Sequence, residues 1–280
     1  MVDAARHWLG TQRVGHLGTL DPLATGVLPL AIRAATKLVP YLAEGGKSYR
    51  GCIQLGVETD TLDAEGKVLR RHAGAFPEES AVEAALVEFV GEIEQVPPMF
   101  SAVKQSGVPL HRLAREGKQV ERAPKKVRID CIELLVYQAP FIEVRVDCSP
   151  GTYVRTLADD LGRRLGCGAH LRNLRRTRSG PFELSRARTP ERFAEDAQRG
   201  QVESHMIPGV DVLGLPIVEL GPEETRRVKN GGEVGASLAL TPGGRVAAME
   251  PGGELLAVME VLPGRRLRPL RVLQSVAPAG

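Results

Sequence analysis

The sequence predicts an α+β fold followed by a small β-rich module, and three observations carry that reading. Strand and helix signals are interspersed without the strict strand–helix–strand period of a doubly wound sheet. After about His205 the texture changes, with Pro and Gly recurring in short steps between brief apolar runs. The 280 residues are 42% apolar and 25% charged, an ordinary globular balance with room for about two domains and a core that needs no staples.

The elements follow in order. No basic n-region or apolar h-region follows Met1-Val2-Asp3, so no signal peptide is read there. Pro22 to Ile32, the longest uncharged stretch near the N-terminus, has 11 residues, short of the ~20 that span a bilayer. Ser48 to Val57 places Tyr49, Gly51, Ile53, Leu55 and Val57 on one face, the period of a strand. Phe141 to Cys148 alternates in the same way, and Lys126 to Val136 is a third strand. Ser80 to Gln95 reads as a helix: Ser80 and Glu83 make a capping box, Val82, Leu86, Phe89, Val90 and Ile93 a stripe, and Pro97-Pro98 a stop. Thr152 to Leu165 is a second helix, with Val154, Leu157, Ala158, Leu161 and Leu165 on its buried face and Gly166 ending it. Beyond His205, the runs beginning at Pro216, Arg245, Glu254 and Leu267 read as short strands.

Cys52, Cys131, Cys148 and Cys167 form no Cys-x-x-Cys pair, so zinc spacing is absent, and a chain this long needs no disulfide frame. They read as buried, reduced thiols of a cytoplasmic protein. The net charge of +3 conceals strong local imbalance. Ser101 to Asp130 carries 8 Lys/Arg against 3 acids, and Gly151 to Pro190 carries 9 Arg against 3. Together these segments hold +11, leaving −8 on the remaining 210 residues. One such run is commonly a solvated face; two, with acids gathered elsewhere, point to a polyanion such as nucleic acid.

Four places invite chemistry. Asp21 lies in Gly15-His-Leu-Gly-Thr-Leu-Asp21-Pro-Leu-Ala-Thr-Gly26. Asp with Pro22 behind it is how many helices begin. The same segment is dense in small residues, and Asp21 is the only acid between Asp3 and Glu44 with Arg13, Arg33, Lys37, Lys47 and Arg50 near in sequence. An acid so placed suits a nucleophile or general base. Asp60 to Arg71 fails as a calcium loop because its twelfth residue is arginine, so a turn closed by its acids and Gly66 is read instead, and no metal is assigned. Arg155 falls in the first turn of the second helix, where the dipole disfavours a cation, so it is either a surface residue or paired with a carboxylate. Tyr49 and Tyr153, two of 4 tyrosines, could be core or could stack on a nucleobase.

Taken together, GHLGTLDPLATGVLPLAIRAATKLVPYL, KSYRGCIQLGVETDTLDAEG, PPMFSAVKQSGVPLHRLAREGKQVER and CSPGTYVRTLADDLGRRLGCGAHLRNLRRTRSGPF resemble the TruB family of bacterial tRNA pseudouridine synthases, in family order and spacing, from about Arg13 to Ile207. The resemblance implies a pseudouridine synthase fold, with a central mixed or antiparallel sheet and flanking helices. It implies a catalytic domain over 1–207, a thumb-like RNA-binding insertion at about 98–125, and a PUA-like RNA-binding domain over 208–280. The implied reaction is cofactor-free isomerisation of the T-loop uridine of tRNA, with the base flipped out. By motif, Asp21 is the catalytic aspartate, Tyr49 stacks on the base and serves proton transfer at C5, and Arg155 pairs with the aspartate. Tyr153 and Leu174 line the uracil pocket, His16 lies near the flipped nucleotide and Lys37 supports the catalytic loop. Lys104, Arg115 and Arg122 belong to the thumb. Phe100 and His111 stand where the family commonly has tyrosines. The family also has a strand with a Lys-Pro motif before its first helix, which here is read at Val2 to Leu9. Either the natural start lies upstream or this form lacks that strand; the first is favoured, and the chain as written is expected to be poorly stable.

The implied partner is the tRNA T-arm, met directly by a monomer, with neither guide RNA nor membrane. The other reading is a non-catalytic tRNA-binding or tRNA-folding protein. Asp21, Tyr49 and Arg155 occurring together favour the enzyme.

Overall fold

Alternation of apolar residues along Lys47–Leu55, Phe141–Cys148 and Lys125–Gln138 makes each a strand with one face to bury. They pair side by side within a seven-stranded sheet. The order is Phe182–Glu183, Ala169–Ser179, Lys47–Leu55, Phe141–Cys148, Lys125–Gln138 and Gly91–Gln95, with Ala24–Gly26 added alongside Ala169–Ser179. Every pairing is antiparallel except that last, which is parallel and aligns Leu174 with Ala24 and Arg176 with Gly26. This computed structural model describes residues 1–42, 45–101, 103–105, 107–118, 120–236 and 240–273, and of Lys104, Gln105, His111 and Arg115 only the backbone.

One face of the sheet carries the core. The helix Val154–Arg164 lays Val154, Leu157, Ala158 and Leu161 onto Ile53, Ile142, Val144 and Leu171. Each fully buried Leu or Ile there stabilises the fold by about 1.5–3 kcal/mol. A second helix, Glu79–Val87, adds Val82, Ala85 and Leu86. That helix is shorter than the pattern from Ser80 to Gln95 predicts. It ends at Val87, its N-cap is Glu78, and no side chain caps it. Gly91 at φ +107 turns the chain, and Gly91–Gln95 becomes an edge strand aligned with Lys125–Ile129. The apolar stripe misled because Ile93, flanked by Glu92 and Glu94, serves a strand period equally well.

Asp60–Lys67 forms the turn of a hairpin between Val57–Thr59 and Val68–Arg71. Its tip is tied to the sheet by a bridge between Asp63 and Leu171 and by the Ala64 N–H donating to the Leu171 carbonyl at 3.0 Å.

Residues group into two compact units that do not follow chain order. One holds Thr19–Leu28 and Glu44–Ala187, the other Met1–Gly18, Pro29–Ala43 and Arg188–Gly280. The second contains the β-rich C-terminal sheet, ordered Ile217–Glu219, Arg245–Met249, Leu255–Leu262, Arg266–Val272 and Val234–Gly235. Val228 of the helix Pro222–Lys229 is buried in its core with Val246, Leu256 and Met259. The same unit carries the helices Val2–Trp8 and Pro190–Gln198, where the rings of Trp8 and Phe193 lie 5.9 Å apart. Three of the four free cysteines are buried, Cys131 being partly exposed. Among the described residues no helix is long and apolar enough to cross a membrane.

Candidate active site

Asp21 does not cap a helix. Its carbonyl accepts the Ala24 N–H at 2.9 Å in a turn, and the chain then enters the Ala24–Gly26 strand, whose ladder with Ala169–Ser179 claims the backbone a helix would need. Gly26 is required at the join. Its φ is +98, and a Cβ there would collide with the Arg176 carbonyl. Arg176 also holds the loop from within, fully buried, with Nε donating to the Val27 carbonyl at 2.8 Å and Nη1 to the Thr19 carbonyl at 3.3 Å. Both ends of the Asp21 loop are thereby fixed to one strand.

Arg155 reaches this loop from the second residue of its helix. Its Nε donates to Asp21 Oδ2 at 2.8 Å and its Nη2 to Asp21 Oδ1 at 2.9 Å, a two-pronged fork. Nη1 donates to Asp63 Oδ2 and to the Thr61 carbonyl, each at 3.3 Å, and Nη2 also to the Phe100 carbonyl at 3.0 Å. The side chain of Arg155 is 2% exposed and that of Asp21 is 27% exposed. The cation is thus sequestered while the carboxylate keeps an approach from solvent. A buried guanidinium is tolerated because two carboxylates and two carbonyls satisfy it. This explains its misfit with the helix dipole: the cation serves tertiary partners, not its own helix.

Tyr49 stands on the central strand, aligned with Val146 on one side and Arg176 on the other. Burial pushes its hydroxyl up to about 12, opposed by the charge of Arg176 and a hydrogen bond from it, so at neutral pH the ring is an uncharged phenol. Leu174 is buried opposite Ala24. Beneath it Gly51 leaves little space, since a Cβ would sit 3.3 Å from Leu171 and Leu174. Tyr153 is the N-cap of the Arg155 helix, and burial raises its hydroxyl pKa against a hydrogen bond from Ser101. Asp21, Tyr49, Tyr153, Arg155 and Leu174 therefore all belong to one compact unit.

His16 and Lys37 belong to the other. His16 ends the strand Val14–His16, paired with Leu30, and is exposed. Lys37 lies in the short turn Arg33–Leu38 and its Nζ donates to the Val272 carbonyl at 2.9 Å. In the insertion, Arg122 Nη1 donates to the Pro97 carbonyl at 2.9 Å, while the side chains of Lys104 and Arg115 lie outside the described residues. At Phe100 it is the main chain that meets Arg155; the His111 side chain, too, lies outside what is described.

Sequence reasoning missed three residues. Asp63 passed for a turn-closing acid, and nothing local marks its second oxygen as a partner of Arg155. Arg176 reads only as one of the 9 Arg of the basic segment Gly151 to Pro190. Gln95, at the end of the edge strand, was placed on a helix. The basic segment Gly151–Pro190 is also less exposed in charge than its count implies. Arg155 and Arg176 are buried, Arg163 pairs with Asp159 at 2.6 Å, and Arg164 forks onto Glu88 at 2.6 and 2.7 Å. Arg172 stacks over Phe141, 4.5 Å from its centroid. Among the described residues no three His, Cys, Asp or Glu gather as a metal site would require.

Comparison with known proteins places these features in a family. Residues 6–154 match the model of the TruB family pseudouridylate synthase N-terminal domain, and residues 155–210 that of the tRNA pseudouridylate synthase B C-terminal domain. Relatives named tRNA pseudouridine synthase B include one from Chromohalobacter salexigens, 42% identical over 98% of this chain and 89% of its own. The relative from Ralstonia nicotianae is 45% identical, over 96% of this chain and 88% of its own. Among solved structures, a chain of a Cbf5–Nop10–Gar1 complex is 27% identical with a TM-score of 0.71, covering 98% of this chain and 80% of that one. A chain of an H/ACA ribonucleoprotein bound to a substrate RNA shares the fold at 24% identity and a TM-score of 0.70, with the same coverage. With both family models matched in sequence and relatives above 40% identity along nearly its whole length, the chain belongs to the TruB family of pseudouridylate synthases.

Proposed function

We propose that the protein is the tRNA pseudouridine synthase that converts the uridine at tRNA position 55, in the T-loop, to pseudouridine. The observation that carries this reading is the Asp21 carboxylate held in the Arg155 fork yet open on one side, with the Tyr49 phenol within its electrostatic reach. The relatives above 40% identity are named for the same activity. The reaction breaks the N1–C1′ bond and forms a C5–C1′ bond. A proton leaves C5 and N1 gains one, so product and substrate have the same atoms and no redox equivalent is consumed. Asp21 either attacks C1′ or takes the 2′ proton, and both routes start from the same carboxylate.

The other residues follow from that centre. The flipped uracil stacks on Tyr49, whose neutral hydroxyl relays the C5 proton by accepting it on oxygen as it passes its own proton on, and packs against Leu174 and Tyr153. Flipping costs a few kcal/mol, least for a base already in a loop. His16 and the insertion residues Lys104, Arg115 and Arg122 belong to the RNA side, and cations there contribute affinity more than selectivity. In sequence terms we assign 1–207 to catalysis and 208–280 to a PUA-like RNA-binding role. We place the enzyme in the cytoplasm as a monomer acting on the T-arm without guide RNA.

The test is to incubate the protein with unmodified tRNA and map pseudouridine. Product at the T-loop uridine is expected. Asp21→Asn, which keeps shape and loses charge, is expected to bind tRNA and form no product; turnover in that variant overturns the assignment. Binding without product in the wild type would leave the non-catalytic reading.

A further inference from the structure

The insertion leaves the central sheet at a single rung, where Gln95 is aligned with Lys125. Gln95 is 1% exposed, and its side chain turns away from the ladder to grip a residue 58 positions later. Its Oε1 accepts the Tyr153 N–H at 3.0 Å, and its Nε2 donates to the Tyr153 carbonyl at 3.3 Å. That carbonyl also accepts the Leu157 N–H at 3.1 Å, closing the first turn of the Val154–Arg164 helix. No side chain of the helix caps its own N-terminus, so the Gln95 amide does so from a different element. Two residues on is Arg155, which holds Asp21 and, through Nη2, the Phe100 carbonyl within the same insertion root.

We propose that Gln95 is a positioning residue for the reaction: its amide sets the start of the Arg155 helix, and through it the fork on Asp21, and ties that geometry to the root of the RNA-binding insertion. The inference rests on the function proposed above. The primary amide is needed for a chemical reason. Tyr153 presents one donor and one acceptor side by side, and only a group that both accepts and donates can meet both. A glutamate of the same shape accepts the N–H but sets an anionic oxygen against the carbonyl. Once protonated, it recovers the missing donor.

The experiment measures single-turnover pseudouridine formation with saturating enzyme on unmodified tRNA, from pH 5.5 to 8.5, as the ratio of variant to wild type. Melting curves at each pH confine the comparison to folded protein. Gln95→Glu is expected to be slower by about 10- to 100-fold at the alkaline end, the scale of leaving one buried polar group unpaired, and to recover most of that ratio as pH falls. Gln95→Met, isosteric and neutral, is expected to be slow by a similar factor at all pH values, with tRNA affinity unchanged in both. A wild-type rate in Gln95→Met, or a Gln95→Glu deficit in folded protein that does not shrink with falling pH, overturns the proposal. An inactive wild type would instead refute the underlying function.

Discussion

Arg155→Lys tests the centre of the site most sharply, because it keeps the charge and removes the fork. Arg155 makes five hydrogen bonds from three nitrogens, two of them to Asp21, one to Asp63 and two to the Thr61 and Phe100 carbonyls. A lysine ammonium is one point with three donors and cannot span both Asp21 oxygens and Asp63 together. At least two charge-assisted bonds are lost, each worth about 1.5–3 kcal/mol, while the retained charge still offsets the two carboxylates. The expected net loss is about 3 kcal/mol, which lowers the melting temperature by roughly 6–12 °C for a body this size. If the same amount is withheld from the transition state, the single-turnover rate falls by about 150-fold, at 1.36 kcal/mol per factor of ten. The assay follows release of tritium from C5-labelled tRNA alongside thermal melts, with tRNA binding measured separately. Binding is expected to hold, since Arg155 is buried and touches protein only. A wild-type rate, or a loss confined to binding, refutes the reasoning.

Two further outcomes follow from the same geometry. The Tyr49 hydroxyl titrates near 12 in the fold and near 10 when unfolded, so the native state holds its proton more tightly and wild-type stability falls as pH rises from about 10 to 12. Tyr49→Phe lacks that titration, and urea melts should show its stability gaining about 2–3 kcal/mol on wild type over that window; parallel curves would contradict it. Gly26→Ala puts a Cβ against the Arg176 carbonyl at a positive φ, and should cost more than about 2 kcal/mol and most of the activity. An alanine variant with wild-type melting and rate would show that the loop is not held by its ladder with the Arg176 strand.

What the sequence made legible was whatever a local period can express. Phe141 to Cys148 is a strand over the span its alternation indicates, and the Arg155 helix ends where Gly166 says it should. Asp21, Arg155 and Tyr49 stood out because each breaks a local expectation: an isolated acid, a cation at a positive helix end, a scarce aromatic. The residues that support them break none. Asp63 looks like any turn aspartate, Arg176 like any basic surface residue, and Gln95 like the tail of an apolar stripe; their roles exist only in pairings 58 to 149 residues apart. The Asp21 turn misled for the same reason, since Asp-Pro starts a helix unless a distant strand captures the next residues.

That distant strand has a consequence in time. Arg176 meets Val27 across 149 residues, and Arg155 meets Asp21 across 134. A ribosome adding about 5–20 residues per second emits the Asp21 loop some 7–30 seconds before the strand that receives it. For most of that interval Asp21 lacks its cation, and for all of it the loop lacks its anchor. A chain interrupted anywhere before Ala169 therefore carries Asp21 without the strand that anchors its loop.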